Sequence, residues 1–252
     1  MTFESVLILF VGFVAGNVNT VVGSGSLVTF PTLIALGYPP LVANVSNTIG
    51  LAPGSVSGSV GYRRELVGQR GRATRLAVIA AVGGAVGAGL LLWLPASAFE
   101  RIVPALILAA CGLVIVQPRL SAFVRARATA PHEHPGLNRI LPLAVTGTSI
   151  YGGYFGAAQG VILMALLGVL VDDDLQRLNA LKNVLTAVVN GTAAVVFALT
   201  TVVAWDVAFL LAIGSIVGGQ TGANIGRRIN PTLLRGAIVT LGLLVVLRYV
   251  VA

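Results

Sequence analysis

Amide, hydroxyl and ammonium groups set at membrane depth are the chemistry this chain offers. Asn17, Asn19, Asn44, Ser46, Asn47 and Thr48, and later Gln159, Asn179, Lys182, Asn183 and Asn190, all lie inside otherwise apolar runs. Polar groups there are costly and call for a partner or a role. Asn44, Asn47 and Thr48 stand three and four residues apart, so a helix sets them on one face; Asn179, Lys182, Asn183 and Asn190 share a face in the same way. A single amide of this kind often clamps neighbouring helices, contributing about 1 kcal/mol per bond. Two such faces beside two glycine junctions point instead to one cavity, with Asn47 and Asn183 read as matching positions.

The junctions are Gly23, Ser24 and Gly25 in the first case and Gly152, Gly153, Gly156 and Gly160 in the second. Ser26 and the stretch Gly156 to Gly160 are expected to open half-helices whose free N–H groups face the cavity. A helix N-terminus carries roughly half a positive charge and binds anions. Lys182, the sole lysine, sits four residues inside an apolar run, within snorkelling distance of the membrane edge. Together these features favour an anionic substrate held by Asn19, Gly23, Ser24, Gly25, Asn44, Asn47, Gly156, Gln159, Gly160, Asn179, Lys182 and Asn183.

Other chemistries lack their residues. Glu4, Glu100 and Asp206 fall at segment ends, and Glu65, Glu133, Asp172, Asp173 and Asp174 fall in loops, so no carboxylate relay is set at mid-membrane. His132 and His134 form an isolated HEH, too short for a metal site, and no HExxH, GxSxG or P-loop pattern occurs. No nucleophile, base or metal set for an enzyme can be assembled, and neither catalytic residues nor a cofactor is expected. Cys111 is the single cysteine and lies in an apolar run as inert packing.

The elements that position these groups follow from composition. Of 252 residues 56% are hydrophobic and 10% charged, with mean hydropathy +0.95; a soluble domain is about 25% charged. Apolar windows such as Leu76 to Leu94, Ala180 to Val203 and Val207 to Ile225 are long enough to cross a bilayer. The net charge of +8 gathers in short loops, as the positive-inside rule expects, rather than in a nucleic-acid surface. The first segment lacks a basic n-region and is expected to be retained.

Ten apolar segments are expected: Val6 to Val22, Ser26 to Leu36, Leu41 to Gly61, Leu76 to Leu94, Ile102 to Val116, Ile140 to Tyr154, Gly156 to Val171, Leu178 to Leu199, Val207 to Ile225 and Leu233 to Val251. Pro118 to Arg139, rich in proline and charge, reads as a linker between membrane repeats 1–117 and 140–252. Basic residues put Arg63 to Arg75, the linker and Arg227 to Arg235 on the cytoplasmic side, with both termini outside. Five crossings per half then invert the second repeat relative to the first, a plan recurrent in secondary transporters. A re-entrant hairpin over Val6 to Leu36 is the competing arrangement. The fold class expected is an all-α polytopic membrane protein of two inverted repeats, with eight to ten transmembrane helices, some short or broken.

GSGSLVTFPTLIALG followed by ANVSNT, YGGYFGAAQGVILMALLG followed by NALKNVL, and the late GGQTGANIGRR resemble elements of the TauE/SafE sulfite exporter family over nearly the whole chain. The resemblance implies a plasma-membrane transporter exporting sulfite, sulfonates or related small anions. Its departures, GSG in place of a glycine triplet and GAAQG in the second junction, fall where substrate would be recognised. Ion-coupled anion uptake and a non-transporting assembly partner are the alternatives. The expected partners are a small anion and the lipid bilayer, without nucleic acid; a homodimer stays open.

Overall fold

The computed structural model describes residues 2–127, 137–225 and 231–251. Its helices are α1 (Phe3–Val21), α2 (Ser26–Ala35), α3 (Pro40–Gly61), α4 (Arg70–Trp93), α5 (Ala96–Arg127), α6 (Leu137–Tyr154), α7 (Gln159–Leu170), α8 (Leu175–Thr200), α9 (Trp205–Ile225) and α10 (Pro231–Val251). Each expected segment is a helix. Among the described residues α1, α4, α5, α8 and α9 are long and apolar enough to cross a membrane. The fold is that of a polytopic all-α membrane protein.

Local chemistry sets the helix ends. Thr2 caps α1 by accepting from the Ser5 N–H at 3.3 Å, and Asp174 caps α8 by accepting from the Gln176 N–H at 2.9 Å. Pro40 opens α3, where its missing N–H costs nothing. Several boundaries depart from expectation: α4 begins at Arg70 instead of Leu76, α5 runs from Ala96 through Pro118 to Arg127 instead of from Ile102 to Val116, and α6 begins at Leu137 instead of Ile140. Polar composition marked the linker, but a helix can run past the apolar zone with its charges in water. His132, Glu133 and His134 lie outside the described residues, as do Arg227 and Arg228.

The chain repeats with a period of 135 residues. Pro40 and Leu175 open α3 and α8 (175 − 40), and Arg70 and Trp205 open α4 and α9 (205 − 70). Packing obeys the same rule: α1 lies on α9 as α6 lies on α4, α3 on α9 as α8 on α4, and α2 on α10 as α7 on α5. The pairs α3·α8 and α5·α10 map onto themselves and flank the pseudo-two-fold. Glycine permits the tightest of these contacts. A Cβ at Gly219 of α9 would strike the Gly54 carbonyl of α3, and one at Gly84 of α4, 135 residues earlier (219 − 84), would meet Val189 of α8 at 3.2 Å.

The loops define two faces. On one, Arg72 Nη1 of α4 pairs with Asp173 Oδ2 at 2.9 Å, Arg177 Nε of α8 pairs with Asp173 Oδ1 at 2.6 Å, and Arg177 Nη1 donates to the Val67 carbonyl at 2.9 Å. Burial raises the Asp173 carboxyl, but the Arg177 hydrogen bond, the Asp174 N–H and Arg72 outweigh it and hold the group below its usual range. On the other face Tyr38 Oη donates to Glu4 Oε1 at 3.0 Å, and the Ala204 N–H donates to Ser46 Oγ at 3.0 Å.

These contacts fix direction. The end of α2 returns to the start of α1, so α1 and α2 form the re-entrant hairpin named above as the competing arrangement, in place of two of the five expected crossings, and the chain is back at its starting face before α3 crosses. Helix α3 leaves that face while α8 leaves the basic one, so the counterparts run antiparallel. The repeats are inverted.

Candidate substrate site

Both repeats break at equivalent points. Gly23 (φ 88°) ends α1, and Ala158 (φ 58°), 135 residues on (158 − 23), precedes α7, both in the left-handed region. That conformation suits glycine; at Ala158 it carries strain, which persists only where surroundings impose it. Here Gly156 (φ 76°) loosens the approach, and Tyr151 Oη donates to the Ala157 carbonyl at 2.6 Å.

The short helices are half-helices. At 1.5 Å per residue, the 10 residues of α2 span about 15 Å and the 12 of α7 about 18 Å, together close to a hydrocarbon core about 30 Å thick. They enter from opposite faces and meet at mid-depth, where the Gly160 N–H donates to the Gly23 carbonyl at 3.0 Å. A Cβ on either glycine would collide with the other's backbone. Two helix N-termini thus point at one place. The Gly160 N–H, expected from sequence to be free, is occupied by this crossing bond.

Beside the crossing, Ser24 and Gln159 occupy equivalent positions (159 − 24 = 135). Each is 1% exposed, and Ser24 Oγ and both amide atoms of Gln159 lack a hydrogen-bond partner within the protein. The Gln159 amide lies on Gly152, where any Cβ would overlap it. Leaving buried polar atoms unpaired costs about 1–3 kcal/mol each, so such groups mark a site with a use.

The helices that end at the crossing are capped across the interface. Lys182 is fully buried and does not snorkel, because α1 sits over it: Nζ donates to the carbonyls of Asn19 at 3.2 Å and Thr20 at 3.0 Å, the last turn of α1. Asn183 Nδ2 joins it on Thr20 O at 3.3 Å. At the other break Asn44 Nδ2 donates to the Tyr154 carbonyl that ends α6, at 3.1 Å, while Asn44 Oδ1 has no partner within the protein. The 135-residue period pairs Asn47 with Lys182 (182 − 47) and Thr48 with Asn183 (183 − 48), so the expected match of Asn47 with Asn183 is corrected by one position. The unequal lengths of α2 and α7, and glycines at different positions in the two junctions, hid that register.

The remaining candidates fall into place around these caps. Asn47 Nδ2 donates to Ser26 Oγ at 3.2 Å and Asn47 Oδ1 accepts from Thr29, tying α3 to α2. Asn179, equivalent to Asn44 (179 − 44 = 135), is buried on α8; Gly25 packs on the Ala15 carbonyl. Asn19 Nδ2 donates to Ser55 Oγ at 3.0 Å, and Asn190 Nδ2 reaches the same oxygen at 3.1 Å, so one hydroxyl joins α1, α3 and α8. Ser55 was not among the sequence candidates, although it continues the face of Asn44, Thr48 and Leu51. Phe30, Phe99, Tyr154 and Phe155 form an edge-to-face aromatic cluster between this crossing and the face that carries Tyr38. Among the described residues no His, Cys or carboxylate cluster could hold a metal.

Inverted repeats whose broken helices meet at the bilayer midplane define the architectural class of secondary transporters. Residues 8–249 match the family described as sulfite exporter TauE/SafE, and the chain belongs to that family of membrane transporters. It is similar to a probable membrane transporter protein of Haemophilus influenzae, 26% identical over 95% of this chain and 92% of the relative. It is likewise 26% identical to the probable membrane transporter protein YfcA of Escherichia coli K12, over 92% of this chain and 84% of that one. A probable membrane transporter protein, ORF9, of a Sinorhizobium species is 24% identical over 98% of this chain and 93% of its own. No solved structure matches the chain. It is a multi-pass protein of the cell membrane.

Proposed function

We propose that this protein carries a small anion, sulfite by the family's name or a short sulfonate of like chemistry, out of the cell, and that the anion binds where the two breaks meet. The observation that carries the reading is the head-to-head meeting of the α2 and α7 N-termini at mid-depth, with Ser24 and Gln159 buried and unpaired beside it and Lys182 near by. Preorganised N–H dipoles and one ammonium in a dry interior attract negative charge. The Arg-rich face is cytoplasmic in this reading, since Arg63, Arg64, Arg70, Arg72 and Arg75 cluster there.

Export needs no coupled ion. An inside-negative potential contributes about 2.3 kcal/mol per charge per 100 mV, roughly fiftyfold for a monoanion. The titratable groups described at the crossing do not include a carboxylate, which agrees with uncoupled movement. Flux of radiolabelled sulfite, short sulfonates and carboxylates from proteoliposomes tests the function: saturable flux of at least one anion, absent from protein-free vesicles, is expected. No flux for any member would return the amides to the role of helix clamps in an assembly partner.

A further inference from the structure

Charge and hydrogen bonding at the crossing restrict the anion further than its size does, and the argument rests on the site reading above. Four helix ends converge there: the N-termini of α2 and α7, each equivalent to about +0.5, and the C-termini of α1 and α6, each about −0.5. These partial charges cancel in pairs. The α6 carbonyl of Tyr154 is capped by the neutral amide of Asn44, whereas the α1 carbonyls of Asn19 and Thr20 are capped by the ammonium of Lys182. With Lys182 in its ammonium form, the net charge at the centre is one positive charge. A bound monoanion leaves the closed site neutral, and a dianion leaves an unpaired negative charge in low dielectric, which is heavily penalised.

Hydrogen bonding adds a second condition. The ammonium has three N–H donors and gives two to α1, so one is free for the anion. Ser24 Oγ–H and Gln159 Nε2–H2 are further donors without partners in the protein, as an anion requires. Gln159 Oε1, however, is an acceptor, equally buried and equally unpaired. A bare oxyanion has no hydrogen to give it. We propose that the transported species is a monoanion that also carries an O–H donor next to its anionic group: hydrogensulfite rather than sulfite dianion, or a hydroxy-substituted short sulfonate rather than its unsubstituted parent.

The test uses the purified full-length protein in detergent and in liposomes with three probes: ethanesulfonate, 2-hydroxyethanesulfonate and ethane-1,2-disulfonate. Isothermal titration is expected to give at least tenfold tighter binding of 2-hydroxyethanesulfonate than of ethanesulfonate, and no measurable binding of the disulfonate. A site built to hydrogen-bond a substrate hydroxyl discriminates strongly against the analogue that lacks it. Gln159→Met removes the Oε1 acceptor together with the Nε2 donor, so it should reduce the hydroxyl preference to under threefold and weaken binding of both monoanions. The wild-type comparison stands by itself if that variant does not fold. Equal binding of the two monoanions by the wild type, or disulfonate binding as tight as theirs, overturns the inference and leaves the transporter reading intact. If no member of this panel binds and none of the wider anion panel is transported, both fall.

Discussion

Lys182 is the residue on which the site turns, because it is the sole lysine and lies fully buried on a helix end. The partial negative charge of the α1 C-terminus holds it when no anion is present, and an arriving anion competes with those carbonyls for its protons. Substituting Lys182→Met removes the cation while preserving most of the volume. Transport should fall more than tenfold, with the protein still monodisperse on size exclusion; flux within threefold of wild type would make the lysine a clamp alone. From the sequence Ser24 was named within a glycine junction and Gln159 among the polar groups at membrane depth, both as substrate candidates. Their isolation from any partner is a property of packing, and no spacing rule announces it. Lys182 was legible as a cation inside an apolar run within snorkelling distance of the membrane edge; its full burial and its partners were not legible, since the partners are backbone carbonyls 162 and 163 positions away in the chain.

At the scale of elements, the crossing of the two breaks and the latch on the basic face make separate predictions. Gly160 and Gly23 approach so closely that neither tolerates a methyl group. Gly160→Ala should lower stability by about 1–3 kcal/mol through overpacking and abolish flux. In contrast Gly191, helical and with open space around its Cα, should accept alanine with a gain of about 0.5–1 kcal/mol. Thermal unfolding of the two variants side by side checks the pair. The latch depends on pH with a definite sign. The folded Asp173 carboxyl titrates below its unfolded value of about 3.9, so its contribution is complete above that pH and is lost as pH falls through the lower folded value. Both arginines are about a third exposed, so the pairs contribute no more than about 1 kcal/mol. Asp173→Asn should therefore lower the melting temperature slightly at pH 6, and the difference should shrink as pH falls below about 4; a difference that stays constant as the pH is lowered would contradict the assignment.

For the whole molecule, much of the plan was legible because lipid imposes it. Ten apolar segments, the order of junction, short segment and amide-bearing helix in each half, and the inverted sense of the repeats all follow from hydropathy and the Arg-rich loops. The register of 135 residues was not legible, since the glycines of the two junctions fall at different positions and α2 and α7 differ in length; helix starts and cross-packing were needed to place Asn47 opposite Lys182. Nor could composition reveal that α5 runs on past Pro118. Sidedness is checked in a Cys111→Ser background with single cysteines at Gly37 or Gly68: an impermeant maleimide should label the first in intact cells and the second only after permeabilisation. The central claim, an anion carrier driven by its own gradient, is tested most directly by flux under a clamped potential. Proteoliposomes loaded with labelled 2-hydroxyethanesulfonate or sulfite, their potential set by potassium and valinomycin without other ion gradients, should release anion faster as the interior becomes more negative and slower as it becomes positive. Flux indifferent to the potential but responsive to an imposed sodium or proton gradient would contradict the account and establish coupled transport instead.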